Sequence, residues 1–212
     1  MSSLIIVGAG GFAKEVAWLI SDYNRQTQEH AYNLLGFVGD PSTNFRGRPS
    51  VLGNDDWVFS HLSPDIHYVI AIGNSMARKT LAQKYQTQHF SPKSLVHPSV
   101  HMSDSVQLGT GSIICAGSTL TTDIEIGQHV IINLHCTVGH DSRIEDFCTL
   151  SPGVHISGGV HIGQCCEIGT GAVILPGIKI GNNCRIGAGA VVTKELAAGK
   201  TYVGIPAREI SS

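Results

Sequence analysis

Aromatic and charged residues are scarce in this 212-residue sequence, at 6% and 14%. The net charge is only −2, and no basic block occurs, which argues against a nucleic-acid or anionic-membrane surface. No apolar run approaches the ~18 residues of a membrane span. The apolar start, MSSLIIVGAGGFAKEVAWLI, has no basic segment before it and is interrupted by Lys14 and Glu15, unlike a signal peptide. We therefore expect a cytoplasmic protein.

Glycine and aliphatic residues are plentiful instead. The sequence has 25 glycines and is 42% hydrophobic. A chain with so little charge tends to bury flat surfaces, often against copies of itself. The six cysteines of a cytoplasmic chain are expected to be thiols and not disulfides.

A six-residue repeat runs through the second half of the chain. From Val96 to Val192 every sixth residue is aliphatic, in seventeen consecutive positions. Neither the helical period nor the strand alternation produces this spacing. The fourth position is Gly seven times, as a tight corner with positive φ requires. The fifth position is small or β-branched and holds four cysteines, which indicates small buried side chains; Cys115 and Cys165 lie outside it.

This period resembles that of the hexapeptide acyltransferases, which fold as a left-handed parallel β-helix with three hexads in each triangular coil. The resemblance implies that residues 96–194 form about five and a half coils. It also implies assembly as a homotrimer, with active sites at the subunit interfaces.

Residues 1–90 follow a different pattern, in which strands alternate with helices. Leu4–Val7 is predicted to be a strand, followed by a glycine loop and a helix from about Phe12. A second strand is predicted to end at Asp40 and a third at Gly73-Asn74, before a helix with Ser75 as its N-cap. This alternation predicts a small parallel α/β domain, Rossmann-like in pattern.

The prolines of HFSPKSLVHPS end the helical pattern. We therefore predict an α/β domain over residues 1–92 and a β-helix domain over residues 93–212. About 90 residues are too few for a full dinucleotide domain, which argues against a dehydrogenase. A single nucleotide carrying a sugar is the expected ligand.

The glycine loop matches G-x-G-x-x-A from Gly8 to Ala13. Such glycines let backbone amides approach a phosphate at a helix N-terminus, although the same turn can simply pack a strand against a helix. Two more loops are predicted at the same sheet edge, where a ribose or base contact would lie. The expected substrate contacts are Gly8, Gly10, Gly11, Phe12, Asp40, Gly73 and Asn74.

The segment TVGHDSRIED has a histidine and an aspartate at one corner of the repeat. Val138 begins a hexad, so His140 and Asp141 are its third and fourth residues. Two polar residues at an exposed turn are the simplest interpretation. However, Asn133 followed seven residues later by His140-Asp141, and then by DFCTLSPGVHISGGVHIG, resembles the signature of bacterial sugar acetyltransferases. These are the sialic-acid O-acetyltransferase and the bacillosamine and perosamine N-acetyltransferases, and the resemblance extends from Gly8 to VGIPAR at 203–208.

The resemblance implies a catalytic role for this pair. His140 would be the general base, with Asp141 orienting it, and the substrate would attack the thioester of acetyl-CoA directly. Histidine suits this role at neutral pH. The family's acetyl-CoA contacts correspond to Thr149, Gly158, Thr170, Ala188 and Gly189. Position 149 departs from the bacillosamine-type enzymes, which have histidine there.

The predicted activity is therefore acetyl-CoA-dependent N-acetylation of a UDP-, GDP- or dTDP-linked amino sugar, for surface-glycan synthesis. O-acetylation of sialic acid or a related sugar is the alternative within enzymes. Seven of the eleven histidines lie in the repeats, so a second alternative is a zinc-dependent, carbonic anhydrase-like β-helix protein. Because these histidines are scattered over hexad positions, no metal is expected. A non-catalytic nucleotide-binding scaffold is a further alternative.

Overall fold

The computed structural model describes residues 2–27, 31–40 and 49–210. The first part is a parallel four-stranded sheet in the order β3-β2-β1-β4, with three helices. The strands are β1 Ser2–Val7, β2 Tyr32–Val38, β3 Val51–Gly53 and β4 His67–Ile70. The helices are α1 Gly11–Thr27, α2 Asp55–His61 and α3 Ser75–Thr87. In the described ranges no helix has both the length and the apolar character to span a membrane.

The predicted strands and helices are present, with differences at their ends. β2 ends at Val38 and not at Asp40, and β4 ends at Ile70 and not at Gly73-Asn74. Gly39 N and Ala71 N make the last backbone hydrogen bonds to the neighbouring strands, to Gly53 O and Val7 O. The chain turns away after these residues, so the strand pairing stops there. The short elements β3 and α2 were not predicted.

The second part of the chain is a β-helix of two-residue strands. Each strand pairs in parallel with the strand 18 residues later, so three hexads make one coil. The predicted fold class, a small parallel α/β domain followed by a hexapeptide-repeat β-helix, is confirmed. The chain closes with Thr201–Val203, which pairs in parallel with Arg185–Ile186 and antiparallel with Arg208–Ile210.

Three sheets form the faces of this β-helix. The first face consists of Leu95–Val96, Ile113–Ile114, Ile131–Ile132, Thr149–Leu150, Glu167–Ile168 and Arg185–Ile186. The second face consists of His101–Met102, Thr119–Leu120, Thr137–Val138, His155–Ile156, Val173–Ile174 and Val191–Val192. The third face consists of Gln107–Leu108, Glu125–Ile126, Arg143–Ile144, His161–Ile162 and Lys179–Ile180. The first edge joins the first and second faces, the second edge joins the second and third, and the third edge joins the third and first.

The corners explain the residue preferences of the repeat. All fourteen fourth positions from 111 to 189 have positive φ, between 52° and 76°. Glycine occupies seven of them, and the others hold Asp123, His129, His135, Asp141, Phe147, Cys165 and Asn183. The unassigned Cys165 is thus a corner residue. A hexad that pairs with its neighbours on both sides imposes the left-handed conformation even on residue types that rarely adopt it.

The cysteines are buried free thiols. Those at the fifth position donate to a carbonyl of the next coil, as Cys148 Sγ does to Gly163 O at 3.0 Å. Burial raises the pKa of Cys136 to about 11 and that of Cys115 to about 12. The fifth-position cysteines therefore pack in the β-helix interior, and the raised pKa values keep Cys136 and Cys115 as neutral thiols at neutral pH.

The α/β domain packs on the first face. Outward-pointing Leu95, Ile113 and Ile131 join one buried cluster with α1 and one side of the sheet. Helices α2 and α3 cover the other side of the sheet. The first three outward residues of the first face are apolar because they lie at this domain interface. The outward residues of the third face, such as Glu125 and Arg143, are polar and exposed.

His129, at the third edge, is a buried imidazole with an unpaired nitrogen. Its ring stacks on Phe147, with centroids 5.3 Å apart and a 5° angle between the planes. Its Nδ1 has no hydrogen-bond partner. Burial lowers the pKa of His129 to about 4, and the positive charge of Arg78 acts in the same direction.

We expect the protein to lose stability as the pH falls from about 6.5 towards 4. In this window the unfolded His129 binds a proton, while the folded one stays neutral, so protons favour unfolding. Between pH 7 and pH 5 this difference amounts to about 2 kcal/mol. The His129→Phe variant has no imidazole to bind the proton. Phenylalanine is compatible with the left-handed corner, since Phe147 occupies an equivalent one. Urea unfolding of both proteins at the two pH values measures the effect; equal losses would contradict it.

Candidate active site

The loop between β1 and α1 leaves backbone amides open. Gly8 has φ of 121°, and an added Cβ would lie 3.0 Å from the carbonyl oxygen of Ala71, so glycine lets the loop pass the end of β4. Gly10 and Gly11 are exposed, with nothing within 4 Å of an added Cβ. The 17-residue α1 begins at Gly11 and has no acidic residue in its first turn. Its amino end is therefore suited to bind a phosphate.

The loops after β1 and β2 touch each other. An added Cβ on Gly39 would lie 2.7 Å from the Cβ of Ala9, and the next residue, Asp40, is exposed. Phe12 is half-buried and packs on the α/β core. The structure thus brings the glycine loop and Asp40 together at one sheet edge.

The third predicted loop, Gly73-Asn74, is exposed but held by several hydrogen bonds. Asn74, and not Ser75 as predicted, is the N-cap of α3, because its side chain accepts from Ala77 N at 2.9 Å. Glu167 of the β-helix accepts from Ser75 N and Ser75 Oγ, each at 2.9 Å, and from Asn74 Nδ2 at 3.2 Å. This carboxylate occupies the amino end of α3, so a phosphate would meet a like charge there.

Arg78 links this loop to the β-helix, and the sequence analysis missed it. Its side chain is fully buried and donates to the carbonyls of five residues and to one hydroxyl. Burial lowers its pKa to about 10, so it stays charged at neutral pH. The position of Arg78 in the helix could have identified it, because Arg78 lies on the same buried stripe of α3 as Ala82 and Tyr85. A charged residue on a buried stripe indicates a partner across an interface.

Thr149 lies on the first face, under the α/β domain. It is 9% exposed, and its hydroxyl donates to Gly73 O at 2.7 Å and accepts from Arg78 Nη2 at 2.9 Å. Its one hydroxyl proton is therefore already in use within the chain. This position does not support the predicted acetyl-CoA contact through the side chain.

His140 and Asp141 form an exposed pair on the second edge. His140 Nδ1 is 2.7 Å from Asp141 Oδ2, and the two side chains are 67% and 68% exposed. Since the carboxylate can only accept, the proton of the imidazole is assigned to Nδ1 and Nε2 is left as the acceptor. Asp141 has φ of 57°, a conformation that aspartate tolerates better than most residues. The pair has the arrangement of a base and the group that orients it.

Gly158 provides the space for the His140 ring. It lies one coil later on the same edge, where an added Cβ would come within 2.6 Å of Nε2 and 2.7 Å of Cε1. Its φ lies outside the left-handed region, so its lack of a side chain serves the imidazole and not the backbone.

The remaining predicted positions lie on the first edge. Thr170, Ala188 and Gly189 are exposed there, on later coils than Asn133. The side-chain oxygen of Asn133 accepts from Leu134 N at 2.7 Å and so shapes its own corner. The second face therefore separates these positions from His140 and Gly158.

The histidines of the repeat region are dispersed. His155 is exposed on the second face, His161 bonds Glu145 on the third at 2.9 Å, and buried His97 bonds Asp22 at 2.8 Å. Within the ranges that the structure describes, no three His, Cys, Asp or Glu side chains converge as metal ligands would.

Comparison with known proteins finds similarity over both halves. Residues 3–85 match the PglD N-terminal domain, and residues 159–194 match the bacterial transferase hexapeptide (six repeats). The chain is 30% identical to GDP-perosamine N-acetyltransferase of Escherichia coli O157:H7 over 157 residues, 74% of this chain and 71% of that protein.

This chain belongs to the hexapeptide-repeat sugar N-acetyltransferases. The resemblance predicted from the sequence is thereby confirmed, and family membership makes the protein an acyltransferase.

Two solved structures of family members match nearly the whole chain. PerB from Caulobacter crescentus, in complex with CoA and GDP-perosamine, is 33% identical with a TM-score of 0.87, covering 100% of this chain and 98% of that one. The acetyltransferase domain of PglB from Neisseria gonorrhoeae FA1090, in complex with acetyl coenzyme A, is 30% identical with a TM-score of 0.90, covering 98% of both chains.

Proposed function

We propose that the protein is an acetyl-CoA-dependent N-acetyltransferase that acts on a nucleotide-linked amino sugar in surface-glycan synthesis. The observation that carries the proposal is the His140–Asp141 pair, with a free Nε2, on an exposed edge of a chain that aligns throughout with PerB. Residues 1–92 bind the nucleotide and residues 93–212 carry the catalytic pair. Because acetyl-CoA and nucleotide sugars are cytoplasmic metabolites, we assign the reaction to the cytoplasm.

His140 is the general base in this proposal. The amine of the sugar attacks the carbonyl carbon of the thioester, and its proton moves to Nε2 of His140 as the N–C bond forms. The oxyanion then collapses, the C–S bond breaks, and the imidazolium returns the proton to the leaving thiolate. Asp141 holds the Nδ1 proton and stabilises the imidazolium. The transfer is direct, so it needs no serine or cysteine nucleophile.

The amino end of α1 is the proposed phosphate site. The open amides at Gly10 and Gly11 and the positive end of the helix dipole suit a diphosphate. Asp40 lies beside this loop, where it can accept hydrogen bonds from a ribose or base. At α3 the carboxylate of Glu167 occupies the corresponding position, so the Gly73-Asn74 turn is left to contact an uncharged part of the ligand.

We propose that the protein is a homotrimer, and the placement of these groups supports a site shared between copies. The α/β domain covers the first face, whereas His140 lies on the second edge, which is opposite that face in a triangular coil. A sugar held by the α/β domain therefore reaches the His140 of a neighbouring copy more readily than its own. The second face supports close packing between copies, because its outward residues include no Lys, Arg, Asp or Glu.

Acetyl-CoA is proposed to lie along the second face between two chains. Gly158 is next to His140 on one side of that face, and Thr170, Ala188 and Gly189 lie along the other. Thr170, Ala188 and Gly189 are small and exposed, so they leave room for an extended pantetheine arm. Thr149, on the first face, is left out of the donor site.

Release of free thiol from acetyl-CoA tests the proposal. We expect turnover with one of a panel of UDP-, GDP- and dTDP-linked amino sugars, and none with the same sugars carrying a hydroxyl in place of the amine. Light scattering should give three times the mass of the chain. Turnover with hydroxyl sugars or sialic acid would indicate O-acetylation instead, and no turnover with any acceptor would overturn the proposal.

A further inference from the structure

The Gly73-Asn74 turn is held from the β-helix side. Gly73 O accepts from Thr149 Oγ1 at 2.7 Å and from Arg78 Nη1 at 3.0 Å, and Ile72 O accepts from the same Nη1 at 2.6 Å. Gly73 and Asn74 nevertheless remain exposed. The turn is therefore accessible to a ligand, while its carbonyls are held by Thr149 and Arg78.

Arg78 is itself anchored to two successive coils. Its Nε donates to His129 O at 2.8 Å, and its Nη2 donates to Phe147 O at 2.7 Å and to Cys148 O at 3.0 Å. His129 and Phe147 are equivalent corners, 18 residues apart. A planar guanidinium fits several acceptors only in one orientation, so the spacing of the coils determines where the turn lies.

Thr149 completes this arrangement through one hydroxyl. It accepts from Arg78 and donates to Gly73, so it connects the β-helix both to the arginine and to the turn. Valine has the same shape without the hydroxyl. With valine, Gly73 O would keep only its bond from Arg78 Nη1, and Arg78 Nη2 would keep only the carbonyls of Phe147 and Cys148, so the direct bond between the first face and the turn would be lost. The bonds that Glu167 accepts at Asn74 and Ser75 hold the other side of the turn.

We propose that Arg78 and Thr149 are positioning residues for the nucleotide-sugar site. They touch neither substrate; they fix the Gly73-Asn74 turn relative to the β-helix and thereby set the affinity for the nucleotide sugar. This inference rests on the proposed function, because it takes the turn to be part of the substrate site. It also gives Thr149 a role that differs from an acetyl-CoA contact and can be separated from it.

The test compares Thr149→Val with Thr149→Ser. We expect Thr149→Val to raise the KM for the nucleotide sugar about tenfold, since one hydrogen bond that orders the site is lost. We expect the KM for acetyl-CoA to stay within twofold. Thr149→Ser keeps the hydroxyl and should restore the KM for the nucleotide sugar to near the parental value.

Ser118→Ala is the matched control for loss of a buried β-helix hydroxyl. Ser118 Oγ donates to Asn133 O at 2.8 Å inside the coil, and neither residue contacts Arg78 or the turn. This variant should lower the Tm without changing either KM. If Thr149→Val behaves like Ser118→Ala, the role of Thr149 is only structural and the inference is overturned. A raised KM for acetyl-CoA in Thr149→Val would overturn it as well.

Binding of UDP, GDP and dTDP by calorimetry separates this inference from the proposed function. If the parental protein binds one of these nucleotides but acetylates no amino sugar, the proposed function fails. The positioning role is still tested in that case, by comparing the Kd of Thr149→Val with that of Thr149→Ser. A Kd that Thr149→Val does not weaken, or an absence of nucleotide binding by the parental protein, would overturn the inference.

Discussion

The His140→Ala variant is expected to lose about 10²–10⁴-fold in kcat and to keep its fold. The imidazole is the only group at this corner with a free basic nitrogen directed away from Asp141, so without it the attacking amine gives its proton to water. The side chain is 67% exposed, so its removal leaves no cavity and should change stability by less than about 0.5 kcal/mol. Thiol release at saturating concentrations of both substrates measures kcat, and thermal unfolding checks the fold.

Two further variants make this result specific. His101→Ala removes an exposed histidine that lies on the second face, two coils before the coil of His140, and should keep full activity. Asp141→Asn keeps a residue that tolerates the left-handed corner but accepts hydrogen bonds more weakly, and it should lose about tenfold. A His140→Ala variant with more than a tenth of the parental kcat would remove His140 from the role of base.

The β-helix could be predicted almost residue by residue because its geometry is local. Each hexad supplies its own inward aliphatic residue and its own corner, so the period alone fixes which residues are buried. Residue type alone does not indicate a left-handed corner at Phe147 or Cys165; both are fourth positions of the period, but the sequence analysis left Cys165 unassigned. The short elements β3 and α2 have no such repetition. Asn54 followed by Asp55 was nevertheless a recognisable start of α2, since Asn54 accepts from Trp57 N as an N-cap.

The candidate site could be predicted only where its residues are close in sequence. His140 and Asp141 are adjacent, so one motif contains the whole pair. The contacts of Arg78 and Glu167 across the domain interface join residues 51 to 93 positions apart, such as Arg78 to His129 and Glu167 to Asn74. These contacts depend on how the α/β domain docks on the first face. The expectation for Thr149 came from a position in a related sequence, which does not say which face that position occupies or what covers it.

Gly158→Ala is expected to lower kcat about 10- to 100-fold by displacing the His140 ring. An added Cβ would come within 2.6 Å of Nε2, a separation that van der Waals contact forbids, so the imidazole must move. Because the ring is exposed, it can swing away at little cost in stability, but it then loses the Asp141 bond and its place beside the attacking amine. The backbone at Gly158 accepts alanine, since its φ lies outside the left-handed region. Steady-state kinetics measures the fall in kcat, and thermal unfolding checks that the Tm changes little.

A double-mutant cycle with His140→Ala decides how Gly158 acts. If Gly158 serves the imidazole, the Gly158→Ala change has no further effect on kcat once the ring has been removed, and the two effects are strongly non-additive. If Gly158 instead contacts the pantetheine arm, as the sequence resemblance implies, the change raises the KM for acetyl-CoA by the same factor with and without His140. The structure supports the first outcome, because the atoms that an added Cβ would meet belong to His140 and not to the backbone of a neighbouring coil. An equal loss in both backgrounds would show that the space above Gly158 is needed for the donor and not for the base.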